Sequence, residues 1–415
     1  MSAGGFTLLE LIVSMAIFIA LIMISAYAFE NIIKKGGQQV KSAETQTEGI
    51  VGLEMLRSDI EHAGYGIPWT IPFPPAGGAY TEVTGSVNPV TGITSSSFNE
   101  GVPSAVKSVL TPAGSKIIAG TSNTNPGAAY LVIKSVRVPL NTAVSKWTYV
   151  NYSTDGTNNK SYVKKWGSTD DFTGGERVIT ISSTFSTSGE PDKVLAMKNG
   201  VTDNTGYSYA VPTTVPSILN PADSAFEPGD SSQLYVVYAI DPNADLRMPF
   251  NRADYYIRRP AGSDPAKMPE TCNPGTGVLF KGVVRHSDSS GTFAEYPLLN
   301  CVGDMQVEFE LDPMGNGNIA ISPTLAGLAA SDIRMQLKTV RVYLLAHEGK
   351  KDPNYSYPNA TIQVGDPSRP SSSGRTLSGA PACSGDNCMQ TLFGDDWRNY
   401  RWKVYTIVVR PKNMY

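Results

Sequence analysis

The polarity of the chain changes once, abruptly, near residue 30. From Leu11 to Phe29 runs LIVSMAIFIALIMISAYAF, nineteen residues without a charge, a glycine or a proline. A helix of that length approaches the ~30 Å hydrocarbon thickness of a bilayer, so the run predicts a membrane-spanning helix. One carboxylate, Glu10, stands at its head, where it would cost on the order of a few kcal/mol if drawn to the bilayer centre. A second apolar period follows. Ile50, Leu53, Leu56, Ile60 and Ala63 recur at helical spacing, with Glu48, Glu54, Arg57, Asp59 and Glu61 mostly elsewhere on the wheel. The helix is therefore expected to continue past the membrane, weakened at Gly36-Gly37, and to lay one apolar stripe on a sheet. Gly64-Tyr65-Gly66, followed by Pro68, ends it.

Beyond residue 66 the period shortens to two. Runs rich in β-branched and aromatic residues cover 129–138, 177–182, 233–240, 253–258, 278–285, 305–311, 337–346 and 401–410. Many alternate apolar with polar positions, which predicts antiparallel strands with one solvated face. No helical period separates them, so parallel βαβ units are not expected. The fold class is α+β: a long N-terminal hydrophobic helix packed on an antiparallel β-sheet. Stretches rich in Gly, Ser, Thr, Asn and Pro at 67–126, 141–175 and 350–396 are too long for plain loops and read as large β-rich insertions with short strands of their own.

Composition narrows the functional class. Charged residues make up 17% of the chain and the net charge is −3, with no basic stripe, so nucleic-acid binding is not indicated. The four cysteines fall late, at Cys272, Cys301, Cys383 and Cys388. An even count behind an export-like amino terminus suggests two disulfides; Cys272–Cys301 with Cys383–Cys388 is the simplest of three connectivities. No H-E-x-x-H, P-loop or strand-to-helix G-x-G-x-x-G is present, and no enzymatic activity is expected. The pentapeptide 206–210, GYSYA, loosely imitates a nucleophile elbow but lies in a polar stretch. His286 and His347 are expected at surface turns. The Gly-rich segment from Asp312 to Asn318 offers oxygen ligands from Asp312, Asn316 and Asn318, so calcium is a candidate there against the plainer reading of a turn. No other metal or cofactor is indicated.

Particular residues also carry a resemblance. Gly5-Phe6-Thr7-Leu8-Leu9-Glu10 ahead of an unbroken apolar helix resembles the class III signal of type IV prepilins and pseudopilins. The small residues precede the apolar run, the reverse of an ordinary secretory signal. The resemblance implies cleavage by a prepilin peptidase between Gly5 and Phe6, an N-methylated terminus on Phe6, and Glu10 as the fifth mature residue. The leader departs from the family pattern in lacking Lys or Arg; Lys34 and Lys35 follow the span instead. At 53–66, LEMLRSDIEHAGYG resembles the helix end of PilW-type minor pilins and, more loosely, of GspJ/PulJ pseudopilins. ADYYIRR at 253–259, VLFKGVVR at 278–285, PLLNCVGDMQVEFELD at 297–312 and the last strand at 400–413 follow in the order of the PilW-type body.

By that resemblance the fold is type IV pilin-like. Residues 1–5 are a leader, 6–30 a transmembrane and filament-core helix, and 31–66 its amphipathic continuation. Residues 67–230 form a β-rich segment with insertions, and 231–415 the C-terminal sheet of the body. The implied role is that of a minor pilin, a structural subunit that primes pilus assembly at or near the filament tip. Its implied partners are other minor pilins, the major pilin, the prepilin peptidase and the inner-membrane assembly platform. It would cross the inner membrane once before assembly and lie in an extracellular filament afterwards. Glu10 would pair with the terminal amine of a neighbour and fix the register of packing. The alternative is a GspJ-like minor pseudopilin in the tip complex of a type II secretion system. A membrane-anchored hydrolase would require a convergent polar site in the insertions, which the sequence does not display.

Overall fold

Helix α1 (Leu8–Glu61) runs unbroken for 54 residues, about 80 Å at 1.5 Å per residue, straight through Gly36-Gly37. The computed structural model describes residues 7–72, 80–85, 90, 93–110, 125–152, 162–167, 169–186, 189–201, 203–212, 224–260, 264 and 268–414, and for 31–48, 162–163 and 224 the backbone alone. The helix ends because Gly64 and Gly66 turn left-handed, with φ of +79° and +67°. The turn is pinned to the body: Gly64 N–H donates to the Lys134 carbonyl at 2.9 Å, and Val136 N–H to that of Tyr65 at 2.9 Å. A Cβ on Gly66 would also lie 2.6 Å from Val136 Cγ2.

Two antiparallel sheets and a hairpin follow. Strands β1 (Val106–Leu110) and β2 (Ala129–Lys134) begin the main sheet. The chain then builds a second sheet from β3 (Trp147–Asn151), β4 (Tyr162–Val163), β5 (Arg177–Phe185), β6 (Pro191–Leu195), β7 (Ser208–Ala210) and β8 (Leu234–Asp241). It returns to the main sheet with β9 (Arg252–Arg258), β10 (Gly277–Val284), β11 (Phe293–Leu311), β12 (Ala320–Ser322) and, after the short helix α2 (Ala330–Gln336), β13 (Leu337–Glu348). Strands β14 (Thr361–Val364) and β15 (Arg375–Ser378) form the hairpin, and helix α3 (Met389–Phe393) leads to β16 (Arg401–Val409). The main sheet is ordered β1-β2-β9-β10-β11-β13-β16 with β12 on β11; the second is ordered β4-β3-β8-β5-β6 with β7 on β5. Sheet membership therefore crosses the division drawn at residue 230. Strands β1 and β2 precede it yet pair into the main sheet through β9, while β8 follows it and belongs to the second sheet.

The helix stripe packs where the two sheets meet. Leu56, Ile60 and Ala63 are buried in one cluster with Leu131, Ile257 and Met305 of the main sheet and Ile179 and Ile181 of the second. The stripe begins later than its period suggests, because Ile50 is 58% exposed and Leu53 only partly buried. Contact is close where the helix crosses β11: a Cβ on Gly52 would lie 2.0 Å from the Leu298 carbonyl oxygen, and one on Gly49 2.8 Å from Leu299 Cδ1. Asp59, expected off the stripe, is instead buried; its carboxylate accepts from the Tyr255 hydroxyl and forms an ion pair with Lys281. Burial raises the Asp59 carboxyl above the usual carboxylate range, with Lys281 and Tyr255 pulling the other way.

The expected solvated strand faces are also partly wrong. On β11, Met305, Val307, Phe309 and Leu311 enter the core while Asp304, Gln306, Glu308 and Glu310 face away, as alternation requires. That polar row is covered rather than wet. Arg369 bridges Glu308 at 3.0 Å and Glu310 at 2.7 Å, and Arg375 reaches Asp304 at 2.7 Å. Both arginines come from the stretch 350–396, whose hairpin and α3 form a second apolar cluster with Trp397, Tyr343, Leu345 and Trp402.

A charged clamp holds the stretch 80–104 on β2 and β9. Buried Lys134 donates to Glu82 at 2.7 Å, to the Phe98 carbonyl at 2.8 Å and to Glu100 at 2.9 Å. Buried Arg252 grips Asp254 through two bonds of 2.7 Å and reaches Glu82 at 3.0 Å. Phe98 stacks on Tyr130, and Tyr130 on Tyr256, with ring centroids 5.4 and 5.5 Å apart. Burial alone would push the Glu100 carboxyl up, but Lys134, Lys107 and the Ser104 amide outweigh it and hold it at about 2. Glu176, in the second sheet, behaves alike: Lys146 and Thr173 overcome burial and hold it at about 2.

Two outcomes follow from this packing. Alanine at a helical glycine ordinarily stabilises by ~1 kcal/mol, but Gly52→Ala is expected to destabilise by about 2 kcal/mol or more, because the methyl displaces backbone. Val51→Ala, at a position 64% exposed, should stay within about 0.5 kcal/mol; denaturant titration of the full chain in detergent separates the two. Glu100 and Glu176 both have folded pKa values below their unfolded ones, so their stabilisation is present above about pH 4.5 and lost as pH falls toward 2. The unfolding midpoint should drop over that window, and a Glu100→Gln, Glu176→Gln double variant should show a flatter profile from a lower plateau.

Candidate functional site

The apolar head of α1 is the feature that the rest of the fold leaves unused. Every described residue from Thr7 to Glu30 is exposed, and Leu8–Glu30 has a mean hydropathy of 2.6 over its most apolar stretch. Each large aliphatic side chain gains roughly 1.5–3 kcal/mol on leaving water. A surface carrying Leu11, Ile12, Phe18, Ile22 and Ile24 in the open is thus made for lipid or for other helices. By length and composition it is one membrane span or signal anchor.

Glu10 sits three residues after the helix N-cap, Thr7. Its carboxylate accepts from Thr7 N–H and from the Thr7 hydroxyl, both at 3.0 Å, and Glu10 N–H returns a 3.4 Å bond to Thr7 Oγ1. This reciprocal box satisfies amides at the exposed helix start and sets the negative charge against the positive end of the helix dipole. Within the single chain, Glu10 is therefore a helix cap. Gly5 and Phe6, the residues flanking the expected cleavage, lie outside the described residues.

The other residues singled out in the sequence are structural in their surroundings. Cys272 is bridged to Cys301 on β11, and Cys383 to Cys388 just before α3. His286 and His347 are not at surface turns but buried. His286 Nδ1 accepts from Arg247 N–H at 3.1 Å and its Nε2 meets Asn251 Oδ1 at 2.8 Å; burial pushes it down to about 4. His347 Nε2 accepts from Asn273 N–H at 2.9 Å, and burial pushes it down to about 3. The two imidazoles are neutral packing elements at physiological pH. Ser208 donates to the Asn204 carbonyl at 2.6 Å. Asp312 spends both carboxylate oxygens on its own turn, accepting from Asn316 N–H at 3.1 Å and Gly317 N–H at 3.0 Å, while Asn316 Oδ1 accepts from Asn318 N–H at 3.0 Å. Among the described residues no group of three or more His, Cys, Asp or Glu side chains converges as a metal site would need.

Sequence reading misses the residues that hold the apolar head to the body, namely Asp59, Lys281 and Tyr255. Their signal is faint but physical: an acid one residue from Ile60 of the stripe, and a Lys flanked by apolar positions within β10. Comparison of the chain with known protein families, with curated proteins and with solved structures returns no match.

Proposed function

We propose that the chain is a subunit of a type IV pilin-like filament, a minor pilin of the PilW kind that takes part in priming assembly at or near the tip. One observation carries this reading: an apolar half-helix, fully exposed, is continuous with a half-helix fixed into an α+β body. Such a helix can lie in the inner membrane while the body stays outside it. On extraction the same surface can pack against the helices of other subunits, so that burial is exchanged for burial. The signal-like stretch GGFTLLE supports removal of a leader before that step.

Glu10 is the register element in this proposal. Its capping bonds are worth ~0.5–2 kcal/mol, whereas leaving one member of a buried ion pair unpaired costs ~3–5 kcal/mol. A carboxylate carried into an apolar bundle thus gains more by meeting the terminal ammonium of a neighbour than by staying on Thr7. A subunit displaced by one turn would lose that partner.

Mass spectrometry of the protein recovered from cells that assemble it should find an amino terminus at Phe6, N-methylated. An intact Met1 terminus in assembled material would remove the basis of the proposal. Glu10→Ala is expected to leave processing intact and to lower recovery in sheared filaments at least several-fold. Equal recovery would refute the register role while leaving the filament assignment standing.

A further inference from the structure

Apart from the helix, a polar cleft opens where four remote segments meet. It has a volume of about 500 Å³, within the ~300–1,000 Å³ typical of small-ligand sites. Thr81 comes from the clamped stretch before β1 and Asn204 from the turn before β7. Arg247 lies on the β8–β9 connection, and Ser287 and Ser289 on the β10–β11 turn.

Arg247 is held before any ligand arrives. Its Nε donates to the Glu82 carbonyl at 3.3 Å and its Nη1 to that of Asp288 at 2.6 Å, leaving Nη2 without a partner among the described residues. Its backbone is fixed too: its N–H donates to His286, and its carbonyl accepts from Thr81 N–H at 3.3 Å. His286 rests on buried Asn251, whose amide donates to the Val136 and Ile240 carbonyls at 2.9 and 3.0 Å. This buried polar relay fixes the Arg247 backbone, and the Glu82 and Asp288 carbonyls hold its guanidinium.

The lining carboxylates are already engaged. Asp245 pairs with Arg177 at 2.6 Å, and Asp288 accepts from Ser290 N–H at 2.8 Å and from the Thr292 hydroxyl. The guanidinium of Arg247 has no carboxylate within ion-pair distance among the described residues, and Thr81, Asn204, Ser287 and Ser289 line the same cleft with side chains that can donate and accept. Burial holds Arg247 below its ordinary pKa, with Asp288 pulling the other way.

We propose that this cleft binds an acidic saccharide, with the carboxylate of a uronic-acid ring on Arg247 and the ring hydroxyls on Thr81, Asn204, Ser287 and Ser289. One cation meets one carboxylate, and side chains that both donate and accept match vicinal hydroxyls. The assignment stands apart from the filament proposal, since it uses none of residues 7–61.

The full chain in detergent micelles, titrated calorimetrically with trigalacturonate, maltotriose and inorganic phosphate, tests it. Trigalacturonate should bind, with the neutral trisaccharide and phosphate each at least about tenfold weaker. Arg247→Met should weaken trigalacturonate about tenfold or more. Because Arg247 also ties two loops together, Ser287→Phe, at an exposed rim position, serves as the second variant and should block binding with an unchanged Tm. Failure of trigalacturonate to bind overturns the proposal, as does undiminished binding by Ser287→Phe. Equal affinity for phosphate overturns the saccharide assignment, and equal affinity for maltotriose overturns the role of Arg247.

Discussion

The ion pair between Asp59 and Lys281, closed by the Tyr255 hydroxyl, is the point on which the rest of the molecule turns. Tyr255 and Lys281 are direct cross-strand partners on β9 and β10, so two central strands present a donor pair to one helical carboxylate. Both charges are buried, and a buried pair gives little net stability against an apolar replacement. What it supplies is position: a helix rotated or slid by one residue would leave an acid and a lysine unpaired in the core. Gly52 acts in the same sense through sterics, since only a residue without Cβ lets the helix backbone rest on the Leu298 carbonyl. Charge fixes the rotation and the glycine fixes the distance, and together they seat on the body the end of a helix whose other end, Leu8–Glu30, is exposed.

The remaining body is assembled around that contact by clamps that tie late segments to early ones. Lys134 and Arg252 draw the stretch 80–104 onto β2 and β9, and Arg369 and Arg375 draw the stretch after β13 onto the polar row of β11. In each case cations and carboxylates lie on segments far apart in the chain, so neither cover can dock without the other half of its charge. The described parts of these two stretches are thus integrated into the body, and the second sheet shares the core cluster that encloses the helix end.

Much of this was legible. Each of the eight strand-like runs holds a strand, although β2 stops at Lys134, four residues short of its run, and the left-handed glycines of AGYG end the helix as their residue types require. Periodicity reports which side chains share a face; it is silent on what covers that face. The row Asp304, Gln306, Glu308 and Glu310 therefore reads as solvated, although its arginines arrive 59 to 71 residues later. Asp59 fails for the same reason, since its partners lie on strands about 200 residues away. The split of the strands between two sheets was hidden as well, because β8 resembles β9 in composition and only the pairing of β9 with β2 tells them apart. At the head of the helix the position of Glu10 is visible in the sequence but its capping bonds are not, because Thr7 reads there as part of a signal and not as a helix start.

That double use of Thr7-Leu8-Leu9-Glu10 has a physical logic. A charge entering an apolar helix bundle must be satisfied at every stage, since an unpaired carboxylate in low dielectric costs far more than a cap returns. The Thr7 hydroxyl and amide hold the carboxylate while the chain stands alone. Under the proposed register role they would release it to the stronger partner that a neighbour's terminal ammonium provides. A lone membrane helix needs no such exchange, because its head can stay at the interface in contact with water. In the proposed filament the head would leave the interface and enter a packed assembly, while Asp59 and Gly52 keep the other end of the helix seated on the body.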